Sequence, residues 1–369
     1  MKKLNSSIKE RKADHISICL KENVQACKAT TGFEDISLLH RALPELDRQK
    51  IDISTKVFGY NFSAPIFVGA MTGGTTKATK INIAIAEAVE QLGLGIGVGS
   101  QRIAIDNPKV EHSFSVVRDK APTAFIIANI GGPQLVSKYG VKEVKKAVEM
   151  VKANVLAIHL NSLQEAVQPE GDTNYSNLIS KISKLTQELD VPVIVKETGA
   201  GIAAEDAILL EEAGIAAIDI AGVGGTSWSA VEYYRAKASQ GISSQKLGLA
   251  FWDWGIPTAI SLVETVKSVH LPVIASGGIR SGIDIVKALA LGASLTSATY
   301  PFLNPATNSS EDVKKVLQYL VQEVRTAMFL VGVDSIQKLQ NVPVVLTGKT
   351  AEWLRVRGFQ PELYARRKT

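Results

Sequence analysis

Short apolar runs recur along the chain, each broken by a polar or glycine-rich turn and most followed by a stretch long enough for a helix. Ile66 to Ala70 is the first, ending in MTGGTT. Behind it Ile81, Ile85, Ala88, Val89 and Leu92 fall on one helical face. Leu94 to Val98 is the second run and ends in Gly99-Ser100-Gln101-Arg102; Ala124 to Ile127 is the third and leads to Asn129 and Gly131-Gly132. Val155 to Ile158 is the fourth, breaking into His159, Asn161, Gln164 and Glu165. Val191 to Val195, Ile215 to Ile220, Leu271 to Ala275 and the weaker Ser294 to Ala298 complete the series. Near-continuous apolar runs are what parallel strands covered on both faces require. Eight such units predict an α/β fold, a (β/α)8 TIM barrel. A doubly wound open sheet is the alternative, but it would gather ligands at one crevice. Polar residues after nearly every run suit a ring of loops.

Three segments exceed a minimal barrel. Residues 1–60 read as a charged, irregular N-terminal arm, densest at Arg11 to His15. Residues 223–255 form a long connection after strand six that holds Trp228, Trp252 and Trp254, read either as a lid or as an extra helix packing its aromatics on the barrel wall. Residues 304–369 read as C-terminal helices. With 46% hydrophobic and 21% charged residues among 369, the chain predicts one domain, 1–369, with a large core.

The net charge of +5 is too small and too scattered for a nucleic-acid footprint, but it favours a small anionic ligand. Cys19 and Cys27 form neither a disulfide framework nor a zinc site. MKKLNSSIKERKADH has no apolar core of a signal peptide, and no run is long enough to span a membrane. The expected location is the cytoplasm.

The strand ends carry the chemistry. Gly277 and Gly278 follow strand seven, and Ser281-Gly282 open a helix-like stretch. Backbone amides in such a turn, beside a helix N-terminus, suit a phosphate, and barrels bind phosphate after strands seven and eight. Lys196 ends strand five where side chains point into an apolar interior, so it calls for an electron-rich partner. Thr72, Ser100 and Asn129 add hydrogen-bonding groups from strands one, two and three. Together these describe an FMN site in a barrel mouth; no GxGxxG opens a βαβ unit, which argues against a Rossmann site. Glu165 is the one carboxylate of the 159–165 cluster. Alone it makes no closed cage, but one carboxylate with substrate phosphates and waters is a common way to hold Mg²⁺. Arg11 and Lys12, with His15 as a further donor, are candidates to clamp phosphate oxygens.

RKADH, AMTGGT, GSQR, HLNSLQEAVQPEG, VKETG, GVGGTSW, FWDWGIPT and ASGGIRSG together resemble the type 2 isopentenyl diphosphate isomerases over most of the chain. The resemblance implies a barrel enzyme that interconverts isopentenyl and dimethylallyl diphosphate on reduced FMN with Mg²⁺, NADPH serving as flavin reductant, and a homo-oligomer, tetramer or octamer. It implies that Arg11, Lys12, Arg102, His159, Asn161 and Thr198 bind the diphosphate, with His15 nearby, and that Glu165 holds Mg²⁺. The family often has serine where this chain has Thr198; the hydroxyl is kept. Ala70, Met71, Thr72, Ser100, Asn129, Lys196 and Thr226 would hold the flavin, with its phosphate at Gly277-Gly278 and near Ala298. Gln164 would lie beside the reacting hydrocarbon, Trp228 would shape that region, and Glu232 would join Gln164 in a proton relay.

Two other readings compete. A flavin-dependent 2-hydroxy acid oxidase needs a His-Gly-Gly-Arg type segment after a late strand, where this chain has Gly222-Val223-Gly224-Gly225-Thr226, without histidine or arginine. A non-catalytic flavin-binding protein would explain Lys196 and the glycines but not Gln164, Glu165 and the basic arm together.

Overall fold

The computed structural model describes the backbone of residues 2–368 and side chains from Glu10 to Lys368. Eight parallel strands close into a barrel: β1 (Ile66–Val68), β2 (Gly95–Gly97), β3 (Phe125–Gly131), β4 (Val155–His159), β5 (Val193–Lys196), β6 (Ala217–Asp219), β7 (Val273–Ala275) and β8 (Leu295–Ala298). They follow one another in chain order around the ring, and β8 pairs with β1. The predicted runs are all present, and closure excludes the open sheet.

Alternation along each strand sorts the side chains into two cores. Ile66 and Val68 point outward to the helical shell, whereas Phe67 between them points inward. The inner core is small: Phe67, Phe125, Ile127, Val155, Ala157, Ile194, Ala217, Ile274 and Leu295. A hairpin ahead of β1, Thr55–Val57 paired antiparallel with Tyr60–Phe62, plugs the lower end. Phe58 stacks on Phe125 at 5.7 Å, and Phe62 meets the same ring edge-on at 5.1 Å.

Helix Thr76–Leu92 shows why the periodic stretches fold as predicted. Thr75 caps it by accepting from the Ala78 amide, Ile81, Ile85 and Val89 are buried on one face, and Gly93 ends it in the left-handed conformation.

One expectation changes. The arm is not irregular throughout: Lys2–Lys21 is a helix. Its inward stripe is Arg11, Lys12, His15, Ile16 and Cys19, a helical spacing written largely in cations instead of apolar residues. An apolar-periodicity reading misses such a stripe because it faces a polar cavity. The 223–255 segment contains two helices, Trp228–Ala238 and Ile242–Ala250, packed on each other; Trp252 packs on Tyr233 and Tyr234, Trp228 lines the cavity and Trp254 is exposed. The arm and this segment are tied together. The amides of Cys27, Lys28 and Ala29 donate to Asp253 Oδ1, at 2.7, 3.1 and 3.2 Å. Ala26 N donates to Gly225 O and Ser227 N to Val24 O, both at 2.8 Å. The C-terminal residues form helices, with Ser310–Leu330 lying against Thr76–Leu92 and Gly282–Ala290, and also a short strand, Val344–Leu346, paired antiparallel with Ile36–Leu38 of the arm. Among the described residues no helix is long and apolar enough to cross a membrane.

Candidate active site

Two residues beyond the apolar layer, the same alternation produces a polar one. Ile127 is followed inward by Asn129, Ala157 by His159, Ile194 by Lys196, Ala217 by Asp219, Ile274 by Ser276 and Leu295 by Ser297. This ring floors a cavity of about 280 Å³ at the C-terminal end of the strands. Every site residue expected from the sequence lines that cavity except Glu232, which stands behind Gln164 and His15.

On one flank the cations gather. Lys12 Nζ donates to Ser100 O at 2.7 Å, and Arg11 and Arg102 lie beside it. Burial, then the charges of Arg11 and Arg102, push the Lys12 ammonium down to about 7. Burial likewise lowers Arg11. Among the described residues Arg102 Nε is buried without a hydrogen-bond partner. Three converging cations and an orphaned N–H are the signature of a site shaped for a multiply charged anion.

His159 sits between this flank and the floor. Asn129 Oδ1 lies 2.8 Å from its Nδ1. An amide oxygen there accepts only from a protonated Nδ1, which fixes the tautomer and turns Nε2 to the cavity. Burial, then Lys196 and Lys12, hold the ring neutral, down to about 3. Lys196 pairs in register with Asp219, whose carboxyl burial pushes up against the pull of Lys196 and a bond from Ser276 Oγ. Glu197, one residue on, points away and ties the following turn, accepting from the amides of Thr198, Gly199 and Ala200.

The 159–172 segment holds the acid. Glu165 is buried; its Oε1 accepts from Asn161 Nδ2 at 3.0 Å, and its Oε2 accepts from Gln168 Nε2 and from Asp172 N at 2.8 Å. Gln168 Oε1 is buried with no partner. A carboxylate with a spare lone pair and an orphaned amide oxygen beside it suit a hard cation, which takes oxygen ligands. Among the described residues no cluster of three or more His, Cys, Asp or Glu side chains could hold a metal alone. Gln164 is gripped at both ends: its Oε1 accepts from Asn161 Nδ2 at 3.3 Å, and its Nε2 donates to Glu232 Oε1 at 3.1 Å. His15 Nε2 also reaches Glu232 Oε1, at 3.0 Å, so the histidine expected near the diphosphate serves this acid, with its ring edge-on to Trp228.

The opposite flank is the glycine turn. Gly277 and Gly278 have φ of 94° and 72°, and a Cβ on Gly277 would lie 2.1 Å from Gly222 O. Only glycine fits there, which brings bare backbone to the cavity wall. The helix behind it departs from expectation. Asp284 Oδ2 accepts from the amides of Arg280 and Ser281, Ser281 Oγ accepts from Asp284 N, and Glu323 accepts from Gly282 N. Two carboxylates therefore already cap the helix Gly282–Ala290. The amides of Gly277 and Gly278 lie outside that cap.

Sequence reasoning missed Asp219, Ser276 and Ser297, which continuing the two-residue alternation past each strand would have found. It missed Gln168, inside the motif it quoted. It also missed Arg280, two residues after the glycine pair and exposed overall yet lining the cavity, set over the Tyr300 ring at 5.0 Å and bonded to Gln25 Oε1 at 2.8 Å.

This geometry, a barrel mouth floored by one lysine, agrees with the family model described as FMN-dependent dehydrogenase, which matches residues 5–105 and 152–345. The chain is also 51% identical over 360 residues to an isopentenyl-diphosphate delta-isomerase of Methanosarcina barkeri, covering 98% of each. It is 52% identical over 355 residues to one of Pyrococcus furiosus, covering 94% of this chain and 89% of the other. Within the flavin-dependent barrel class, the chain belongs to the isopentenyl-diphosphate delta-isomerase family. Solved structures share the fold at low identity. A lactate oxidase from Pediococcus acidilactici has a TM-score of 0.65 at 16% identity, with 88% of each chain covered. The flavin-binding domain of baker's yeast flavocytochrome b2 has a TM-score of 0.63 at 19%, covering 86% of this chain and 77% of that one.

Proposed function

We propose that the protein interconverts isopentenyl and dimethylallyl diphosphate on reduced FMN, with Mg²⁺ holding the diphosphate. The observation that carries this reading is the convergence of Arg11, Lys12 and Arg102, with its orphaned Nε, on the rim that also holds Gln164, Glu165 and Lys196. A hydroxy-acid oxidase would want a base and an arginine in the 222–226 segment; glycines and Thr226 stand there.

The diphosphate lies against the three cations, and its charge restores full protonation of Lys12. His159 offers its cavity-facing nitrogen, Asn161 and Thr198 complete the polar wall, and Glu165 with Gln168 would hold the Mg²⁺ that bridges to the phosphates. FMN would be held by Lys196, Asn129, Thr72, Ser100 and Thr226, with Ala70, Met71 and Ala298 against it and its phosphate at Gly277-Gly278. When bound and reduced, for instance by NADPH, it would supply an electron-rich face and a proton-exchanging nitrogen. Moving the double bond needs a proton gained at the terminal methylene and one lost from C2. Gln164 is fixed beside that carbon chain by Asn161 and Glu232. Burial opposes the Glu232 charge, but His15, Arg235 and Gln164 carry its carboxyl down to about 2, so it stays an anion able to steady positive charge in the hydrocarbon slot. Trp228 closes that slot.

The test is reconstitution with FMN, dithionite and Mg²⁺, following conversion of isopentenyl diphosphate by NMR. Turnover is expected, and is expected to disappear with 5-deaza-FMN while the analogue still binds. Oxygen uptake with lactate or glycolate, without isomerisation, would overturn the reading.

A further inference from the structure

The carboxylate behind Gln164 is not held by the cavity alone. Glu232 is 1% exposed on helix Trp228–Ala238, and Arg235 stands one turn further along that helix. Arg235 Nη1 donates to Glu232 Oε2 at 2.7 Å, while its Nη2 donates to Glu170 Oε1. The two nitrogens of one guanidinium therefore bridge two carboxylates on different elements. Glu170 lies five residues beyond Glu165, in the turn whose Asp172 amide binds Glu165 Oε2. Glu170 also faces Arg11 Nη1, at 3.8 Å, from the N-terminal helix. Arg235 thus meets the acid behind Gln164, the turn beside the metal-binding carboxylate and, through Glu170, the phosphate-binding helix.

The occupancy of Glu232 shows what this does. Its Oε1 is shared by His15 Nε2 and Gln164 Nε2. Its Oε2 is taken by Arg235. A carboxylate with one oxygen tied can rotate only about that tie, so the other oxygen stays aimed at Gln164. A lysine ammonium would have to reach both acids from one nitrogen on a flexible stem, whereas the planar fork of arginine offers a separate nitrogen to each in a fixed geometry.

Resting on the isomerase reading, we propose that Arg235 is a positioning residue for the proton relay. It holds the Glu232 carboxylate against Gln164 and braces it on the metal-side turn through Glu170, without itself touching the substrate. This separates it from the cations of the anion flank, whose loss should act on affinity.

The experiment uses the full-length, FMN-loaded enzyme with Mg²⁺ and compares Arg235→Met, Arg235→Lys, Glu232→Gln and the double variant Arg235→Met/Glu232→Gln. Arg235→Met is expected to lower kcat by roughly ten- to a hundredfold with KM for isopentenyl diphosphate within about threefold, and Arg235→Lys to recover part of it. In the Glu232→Gln background the same Met substitution is expected to cost less than about twofold, because the group it acts through is gone. Equal losses in both backgrounds, or a change confined to KM, would overturn the proposal. A crystal structure of Arg235→Met, which needs no turnover, separates this proposal from the isomerase reading. Glu232 withdrawn from Gln164 is expected, and Glu232 unmoved against Gln164 would sink the positioning role even if the enzyme proved to be no isomerase. If the Met variant does not fold, Glu170→Gln removes the brace while leaving both arginines. It is then expected to lower kcat by a smaller factor than Arg235→Lys, and no change in kcat would overturn the bracing.

Discussion

The two ends of the barrel interior use the same strands and the same alternation, yet one is sealed and the other reactive. At the lower end Phe67, Phe125, Ile127, Val155 and Ala157 meet the hairpin rings of Phe58 and Phe62. Two residues further along, Asn129, His159, Lys196, Asp219 and Ser276 replace them. The lower layer gains by excluding water and needs only shape. In the upper layer each polar group must find a partner or await a ligand. Asn129 meets Val98 O and His159, and Ser276 meets Asp219, whereas Arg102 Nε and Gln168 Oε1 stay orphaned. Of the four such atoms among the described residues, these two belong to residues that line the cavity, the other two, Gln25 Nε2 and Thr265 Oγ1, do not, and none lies in the lower layer.

Exchanging the layers should break this division. Lys196→Met extends the apolar layer upward. The protein should stay folded but lose flavin absorbance on gel filtration, with turnover down on the order of a hundred- to a thousandfold. Retained yellow colour and activity would contradict the assignment of Lys196 to the flavin. Ile127→Asn moves polarity downward. It loses apolar burial and strands an amide against Phe125, at a cost of about 4 kcal/mol in denaturant unfolding. Its mirror image, Asn129→Leu, should cost only about 1–2 kcal/mol but release the His159 ring, lowering kcat/KM roughly tenfold. A larger stability loss for Asn129→Leu than for Ile127→Asn would invert the comparison.

The anion flank adds a pH signature. Lys12 is held down to about 7 in the free protein by burial and by Arg11 and Arg102. A bound polyanion favours the charged ammonium and raises that value. Binding of inorganic pyrophosphate should therefore take up a proton above pH about 7, and affinity should fall as pH rises beyond it, at most tenfold per pH unit for one group. Lys12→Gln should flatten this dependence, as read by calorimetry in buffers of different ionisation enthalpy. The smallest effect is expected from Gln168→Met, which removes the orphaned oxygen beside Glu165 and should weaken the Mg²⁺ requirement of binding by roughly tenfold. An unchanged Mg²⁺ titration would take Gln168 out of the metal site.

The eight runs and their turns were legible because parallel strands buried on both faces must be apolar throughout. Most of the rim was legible too, because polar groups such as Asn129 and His159 close apolar runs where burial would otherwise forbid them. The N-terminal helix was not, since its inward stripe of Arg11, Lys12 and His15 carries no apolar period. The capping of Gly282–Ala290 by Glu323 was hidden because the acid lies 41 positions away on another helix.

The sequence by itself determined the strand count, the side of the barrel that carries chemistry, and the residue types available there. Tertiary structure alone decided that the ring closes, that His15 serves Glu232, and that Arg235 reaches Glu170 across 65 positions. Local burial preference acts within one element and is written in its period. Pairing between polar groups of different elements depends on where the folded chain sets them down, and a period carries no record of that.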